Sequence, residues 1–174
     1  MNDRARVPFA LVGVLLLVGA SVHAATVATR GPAASDRRVD AALERVAAGD
    51  SAALRAAVAR AAREAAARPV HAPANTTVGR VLAGGDDSAF RRALRLRVYL
   101  AARGAFRTAS YREGDVRARA SLPPTPNASA LRDAVDRVRL EPRADGTALG
   151  VRLRGVRVTA WRDGRVVARE RRTP

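Results

Sequence analysis

The apolar residues of this chain are continuous near the N-terminus and alternate with polar residues further on. No charged residue lies between residues 7 and 29, a stretch flanked by Arg6 and Arg30. Roughly 20 predominantly apolar residues in a helix span the hydrocarbon core of a bilayer. The pattern therefore predicts a membrane anchor or signal segment at residues 1–30, a linker at residues 31–35 and a head domain at residues 36–174.

In the first part of the head, apolar residues recur every three or four positions, which is the spacing of one helix face. The spacing begins at Val39, after an expected N-cap at Ser35 or Asp36, and it resumes at Leu54 beyond Gly49. One interrupted helix and two separate helices fit this pattern equally well.

Two further helices are predicted from their capping residues. One runs from Ser88 to Arg103, with Asp87 as its N-cap and Gly104 just past its end. The other has Thr125 as its cap and Pro126 at its first position, where proline is favoured.

Alternation of apolar and polar residues predicts strands in the second half of the chain. Residues 116–122 alternate in this way, and Asp145-Gly146 and Asp163-Gly164 are hairpin turn signals. Between these two turns, Gly155 shifts the phase of the alternation, which indicates a β-bulge. We therefore expect a three-stranded meander with arginine on its solvent face.

Together these elements predict an α+β protein. An N-terminal transmembrane helix is followed by helices packed on one face of a small antiparallel β-sheet. The first helix of the head is rich in alanine, and it either lies on the sheet or packs against copies of itself.

The chain is strongly basic, with a formal net charge of +16, and all 32 basic residues are arginine. Such a charge predicts an acidic partner, or else solvated arginines in a chain whose composition reflects a GC-rich coding bias. Aromatic residues are too sparse beyond the anchor to form the stacking platform of single-strand binding proteins. We therefore expect no specific nucleic-acid partner and no small-molecule substrate.

Few residues are candidates for catalysis or metal binding. Cysteine is absent, which excludes disulfides, thiolate metal sites and cysteine nucleophiles. His71 lies in an expected loop, and a general base needs a partner within hydrogen-bond reach. Asp86 and Asp87 are expected to cap the start of a helix and to interact favourably with its dipole. Glu113 and Asp115 are expected to be solvated residues of a turn. The sequence therefore predicts no enzyme, with no catalytic residue, no metal site and no cofactor.

Asn75-Thr76-Thr77 and Asn127-Ala128-Ser129 match the N-glycosylation sequon. The match predicts modification at Asn75 and Asn127, and hence a head outside the cytoplasm; the alternative is that both are plain loop or cap residues. The positive-inside rule slightly favours the opposite orientation, because Arg30, Arg37 and Arg38 follow the apolar stretch.

Four segments of the chain carry a family resemblance. Residues 4–18, with Pro8 ahead of Val12-Gly13-Val14, resemble the leader of haloarchaeal type IV pilin-like proteins. Residues 73–77, 94–103 and 162–167 are similar to other parts of one haloarchaeal family of membrane-anchored, pilin-like proteins. The resemblance covers most of the chain, implies membrane anchoring and implies no activity.

Three fates of the N-terminal segment stay open. Val22-His23-Ala24 permits signal-peptidase cleavage after Ala24, whereas a retained transmembrane helix needs residues 7–29. Processing of the pilin type would cut before Val7.

We therefore expect a single-pass membrane protein that contacts lipid through residues 7–29 and holds its head outside the cytoplasm. Its expected role is that of a cell-surface or pilus-associated structural component, acting through contacts with itself or with other pilin-like subunits. The alternative is a secreted or anchored basic module that binds acidic polymers.

Overall fold

The computed structural model describes residues 32–84, 87–142 and 148–174. The expected membrane segment at residues 1–30, with its processing sites, lies outside these ranges. Within them, no helix is both long enough and apolar enough to cross a bilayer. The chain divides into two compact units, residues 1–40 and 41–174, and every described strand belongs to the second.

Helix α1 runs without interruption from Pro32 to Ala67. Proline suits the first turn of a helix because its missing N–H has no intrahelical partner there. The prediction of a linker at residues 31–35 is therefore wrong from Pro32 onward, and Ser35 and Asp36 lie inside the helix instead of capping it.

The helix also continues through residues 49–51. The sequence had left open one interrupted helix or two separate helices, and the structure has a single unbroken helix. The Ser51 hydroxyl donates to the backbone carbonyl of Ala47 at 3.3 Å, which satisfies a polar group inside the helix. Within residues 41–67, the apolar residues that α1 buries are mostly alanine: Ala42, Leu43, Val46, Leu54, Ala57, Ala61 and Ala65.

Helix α2, Thr77–Ala83, follows a loop and was not predicted. The Thr76 hydroxyl caps it by accepting a hydrogen bond from the Gly79 amide at 3.0 Å. A side chain at Gly79 would overlap the backbone carbonyl of Ala74, so only glycine lets the loop approach the helix this closely.

Helix α3, Ala89–Thr108, extends beyond its predicted end. Its cap is Ser88, whose hydroxyl accepts from the Arg91 amide at 3.3 Å, so the predicted cap at Asp87 is wrong. Gly104 lies within the helix and does not end it, because burial of Ala102 and Phe106 on either side outweighs the weak helix propensity of one glycine.

Helix α4, Ala128–Arg137, starts two residues later than predicted. Asn127 caps it, and its side-chain oxygen accepts from the Ala130 amide at 2.9 Å. Asparagine is a better N-cap than threonine, which explains why Thr125 and Pro126 stay outside the helix.

Six strands form two antiparallel sheets: β1 Tyr111–Glu113, β2 Val116–Ser121, β3 Val138–Pro142, β4 Leu149–Leu153, β5 Val156–Arg162 and β6 Arg165–Arg172. The larger sheet has the order β1-β2-β5-β6, and β3 pairs with β4 separately. The hairpin signal Asp163-Gly164 is confirmed, since both residues have positive φ (49° and 77°) and join β5 to β6. The predicted turn signal Asp145-Gly146 lies outside the described residues; β3 before it and β4 after it are paired antiparallel.

The predicted three-stranded meander is wrong, because β4 and β5 lie in different sheets. Gly155 has a φ of +79° and makes a tight turn between them instead of a bulge. The register irregularity lies further on, between Ala160 and Trp161, opposite β6. The meander was predicted wrongly because β5 pairs with β2, and helix α4 and the β3–β4 hairpin lie between these two strands in the sequence.

The larger sheet has one buried face, on which Val116, Ala118, Ala120, Val156, Val158 and Ala160 are fully covered. Helix α3 packs against β2 and β3 and buries Tyr99 and Phe106. The Tyr99 hydroxyl donates to the carbonyl of Pro123 at 2.8 Å, which satisfies its polar end. The fold is therefore α+β, with helices and an antiparallel sheet, as predicted.

Candidate anion-binding face

The opposite face of the larger sheet is covered with arginine. Side chains alternate between the two faces of a strand, and residues paired across antiparallel strands share a face. The exposed or half-buried arginines that this rule places opposite the core are Arg112, Arg117, Arg119, Arg157, Arg169 and Arg171. We refer to these six residues as the arginine face.

The pairing of the strands sets how the arginine face is arranged. Arg117 lies between Arg112 on β1 and Trp161 on β5. In the other rows, Thr159 separates Arg119 from Arg169, and Arg157 lies directly opposite Arg171. Four strands thus bring together arginines that are up to 59 positions apart in the chain (171 − 112).

No carboxylate neutralises this surface within the described part of the chain: none of the six guanidinium groups lies within 4.0 Å of one. Arg119 donates instead to the backbone carbonyl of Arg107 at 2.6 Å. Some arginines on other surfaces do have acidic partners. Asp87 pairs with Arg91 and Arg95 at 3.1 and 2.6 Å, and Glu170 pairs with Arg172 at 2.6 Å.

The arrangement works against stability. Arg112 and Arg117 are directly opposite each other, as are Arg157 and Arg171, and like charges at such positions destabilise a sheet. Guanidinium groups are well suited to carboxylate, sulfate and phosphate groups, which they can bind through two parallel hydrogen bonds. An anionic ligand on this face would relieve the repulsion and satisfy the donors.

A cleft of about 610 Å³ opens at the end of the face where the turns β1–β2 and β5–β6 lie. Its lining includes Arg112, Arg117 and Arg119 from the arginine face, together with Trp161 and the carboxylates of Asp115 and Asp163 from the two turns. Trp161 is half-buried, whereas Asp163 is exposed in the turn. We refer to this space as the turn-end cleft.

The predicted glycosylation residues are both exposed, and neither is on a strand of the larger sheet. Asn75 is in the loop before α2, and Asn127 is the N-cap of α4. Modification of either residue stays a prediction.

The few residues considered for catalysis do not converge. His71 is exposed in a loop, Glu113 accepts a hydrogen bond from the Tyr111 hydroxyl at 2.9 Å, and Asp115 pairs with Arg162 at 3.2 Å. Asp86 lies outside the described residues, and Asp87 is held by its two arginines. Across the ranges that the structure describes, no group of three or more histidine or acidic residues could hold a metal ion.

Burial raises the pKa of Tyr99, and two further groups in the head also have a perturbed pKa. Burial raises the pKa of Asp50 on α1 to about 6, and the positive charge of Arg172 opposes part of this effect. The hydrogen bond to Glu113 raises the pKa of Tyr111, whose hydroxyl also accepts from Arg45 at 2.7 Å. None of these groups lies on the arginine face.

The sequence showed arginine alternating along β2, but it did not show the arginine face as a unit. The missing information is the pairing of β5 with β2, which determines that arginines from four strands share one surface. The positions themselves carry the signal, since Arg117, Arg119 and Arg157 each alternate with buried residues.

A comparison with known families matches the whole chain, residues 1–174, to a family of unknown function (DUF7286). The chain belongs to this family. No curated protein and no solved structure matches the chain. Membership in a family without an assigned activity is therefore shown, whereas the likeness to haloarchaeal pilin-like proteins stays a proposal.

Proposed function

We propose that this protein is a membrane-anchored, non-catalytic binding module whose arginine face holds an acidic polymer. The observation that carries the proposal is a set of six arginines on one sheet face with no carboxylate within ion-pair distance in the described residues. A repeating anion suits such a face better than a small one, because the guanidinium groups are spread over four strands.

The anchor is the uncharged stretch of residues 7–29, which is long enough to span a bilayer. We place the head outside the cytoplasm on the basis of the two sequons. In this arrangement the anchor keeps the module at the cell surface, and the arginine face makes the contact.

A second candidate function is a structural one, in which the head contacts copies of itself or other pilin-like subunits. An apolar groove beside α1 favours it, lined by Leu54, Val58, Leu149, Val151 and Pro174. Leu149 is 43% exposed, and it adjoins the other apolar residues of the groove, so a partner subunit would cover a contiguous apolar surface there.

The test compares two double variants that lose the same charge. Replacing Arg117 and Arg157 by Gln removes two members of the arginine face, whereas replacing Arg63 and Arg132 by Gln removes two exposed arginines from α1 and α4. Affinity of the full chain in neutral detergent is measured for poly-L-glutamate and polygalacturonate over a series of salt concentrations.

We expect the Arg117→Gln, Arg157→Gln variant to bind both polymers about 5–30-fold more weakly, because each exposed charge contact contributes about 0.5–1 kcal/mol. The control should change affinity by less than about threefold. Equal losses in the two variants would mean that net charge alone drives binding. Unchanged binding with a loss of self-association in a Leu149→Glu variant would favour the structural candidate.

A further inference from the structure

The turn-end cleft differs from the rest of the arginine face because it holds three kinds of chemistry together. Arg112 and Arg117 supply cationic donors, Trp161 supplies an aromatic ring, and Asp163 supplies an acceptor. Asp163 has a structural reason to be there, as part of the β5–β6 turn, but a surface that recognised charge alone would not need the ring of Trp161.

These groups match the parts of an acidic sugar. Guanidinium groups bind a carboxylate or sulfate. The negative face of an indole attracts the slightly positive C–H groups on one side of a sugar ring, and that side is apolar enough to pack against it. The exposed Asp163 carboxylate can accept hydrogen bonds from sugar hydroxyl groups.

Other acidic polymers fit the cleft less well. An acidic polypeptide has no saturated ring to pack against Trp161. Single-stranded nucleic acid binds through successive aromatic platforms, but Trp161 is the only tryptophan in the chain and the only aromatic residue lining the cleft.

We propose that the turn-end cleft binds a sugar unit of an acidic polysaccharide, with Trp161 against the ring and Arg112 and Arg117 on its acidic group. This inference rests on the proposed function, since the remaining arginines would hold the rest of the polymer. It adds a preference for sugar over other polyanions.

Trp161 provides a direct measurement because its fluorescence is the only tryptophan signal of the chain. The full chain in neutral detergent is titrated with polygalacturonate, fully methyl-esterified polygalacturonate, poly-L-glutamate and single-stranded DNA. We expect a saturable change in Trp161 emission with polygalacturonate alone. The uncharged ester should not bind, and poly-L-glutamate should bind by an independent assay without changing the emission.

Replacing Trp161 by Ala should weaken polygalacturonate binding about tenfold, the scale of one lost stacking contact, and leave poly-L-glutamate binding within about twofold. Trp161→Phe keeps an aromatic ring and should restore most of the loss, which separates recognition from a folding defect.

The possible failures are distinct. Equal loss for both polymers in Trp161→Ala, or an emission change with poly-L-glutamate, would overturn the sugar preference and leave the acidic-polymer function standing. DNA binding tighter than polygalacturonate binding would overturn it in favour of a nucleic-acid surface. If the wild-type chain binds none of the acidic polymers, the proposed function itself is wrong.

Discussion

Asp50 is an acidic residue in the interior of the head, only 3% exposed on α1. Burial disfavours its charged form and raises its pKa from 3.8 to about 6. Between these two values the folded state holds a proton that the unfolded chain has lost. The contribution of Asp50 to stability should therefore be greatest below about pH 4, fall as the pH rises to about 6, and stay level above that.

We predict that Asp50→Asn raises the free energy of unfolding at pH 7 by about 1–3 kcal/mol, because the amide needs no ionisation. Arg172 keeps a partner in this variant, since it also pairs with Glu170 at 2.6 Å. Urea denaturation at pH 4, 6 and 7 measures the effect, and the fall in stability between pH 4 and 6 should diminish. The control, Glu64→Gln at an exposed position on α1, should change stability by less than about 0.5 kcal/mol. A destabilised Asp50→Asn would show that the carboxylate has a structural role.

The two sequon asparagines should also behave differently. Asn127→Ala removes the cap of α4 and should lower the free energy of unfolding by about 1 kcal/mol. Asn127→Asp keeps the acceptor oxygen and should recover this loss. Asn75→Ala should have almost no effect, since Asn75 is exposed in a loop. The same denaturation assay measures all three, and equal effects of the two alanine variants would contradict the capping role.

Helix α2 was not predicted and the end of α3 was predicted wrongly, and a glycine in each of these helices tests its bounds. A methyl group on Gly79 would overlap the backbone carbonyl of Ala74, whereas one on Gly104 would meet no atom within 4 Å. Gly79→Ala should therefore destabilise the protein by about 1–3 kcal/mol. Gly104→Ala should stabilise it by about 0.5–1 kcal/mol, because Gly104 lies in the interior of α3. Thermal unfolding of both variants tests the bounds of α2 and α3, and a destabilising Gly104→Ala would contradict an unbroken α3.

The sequence predicted those elements whose signals are local. Helical spacing along α1, alternation along β2 and the Asp163-Gly164 turn were all recognised from neighbouring residues. Helix α2 was missed because its seven residues are too few to show periodicity, and its cap, Thr76, was read as part of a loop. The wrong meander and the missed arginine face have the same cause. Each depends on the pairing of β2 with β5, two strands that are separated in the sequence by α4 and a hairpin.

The proposed anchor determines where the whole chain is held in the cell. Residues 7–29 should keep the protein in the membrane fraction at 1 M salt, because electrostatic attraction is screened over about 3 Å there whereas hydrophobic insertion is not. Release by salt alone would contradict an anchor. N-terminal sequencing then separates the routes, with a start at Ala25 after signal-peptidase cleavage and a start at Val7 after processing of the pilin type.

The orientation of the head can be measured with a single label, because the chain contains no cysteine. Asn75→Cys places one thiol in an exposed loop, and we expect it to react with a membrane-impermeant reagent on whole cells. A thiol that reacts only after the cells are lysed would place the head inside the cytoplasm, as the positive-inside rule indicates.

An acidic polymer bound to the arginine face should protect its arginines from chemical modification. The full chain in neutral detergent is treated with phenylglyoxal, with and without polygalacturonate, and modified arginines are located by mass spectrometry. We predict protection of Arg112, Arg117, Arg157, Arg169 and Arg171, and unchanged reactivity of the exposed arginines Arg63, Arg132 and Arg139. Uniform protection of all exposed arginines, or protection centred on another surface, would contradict the account.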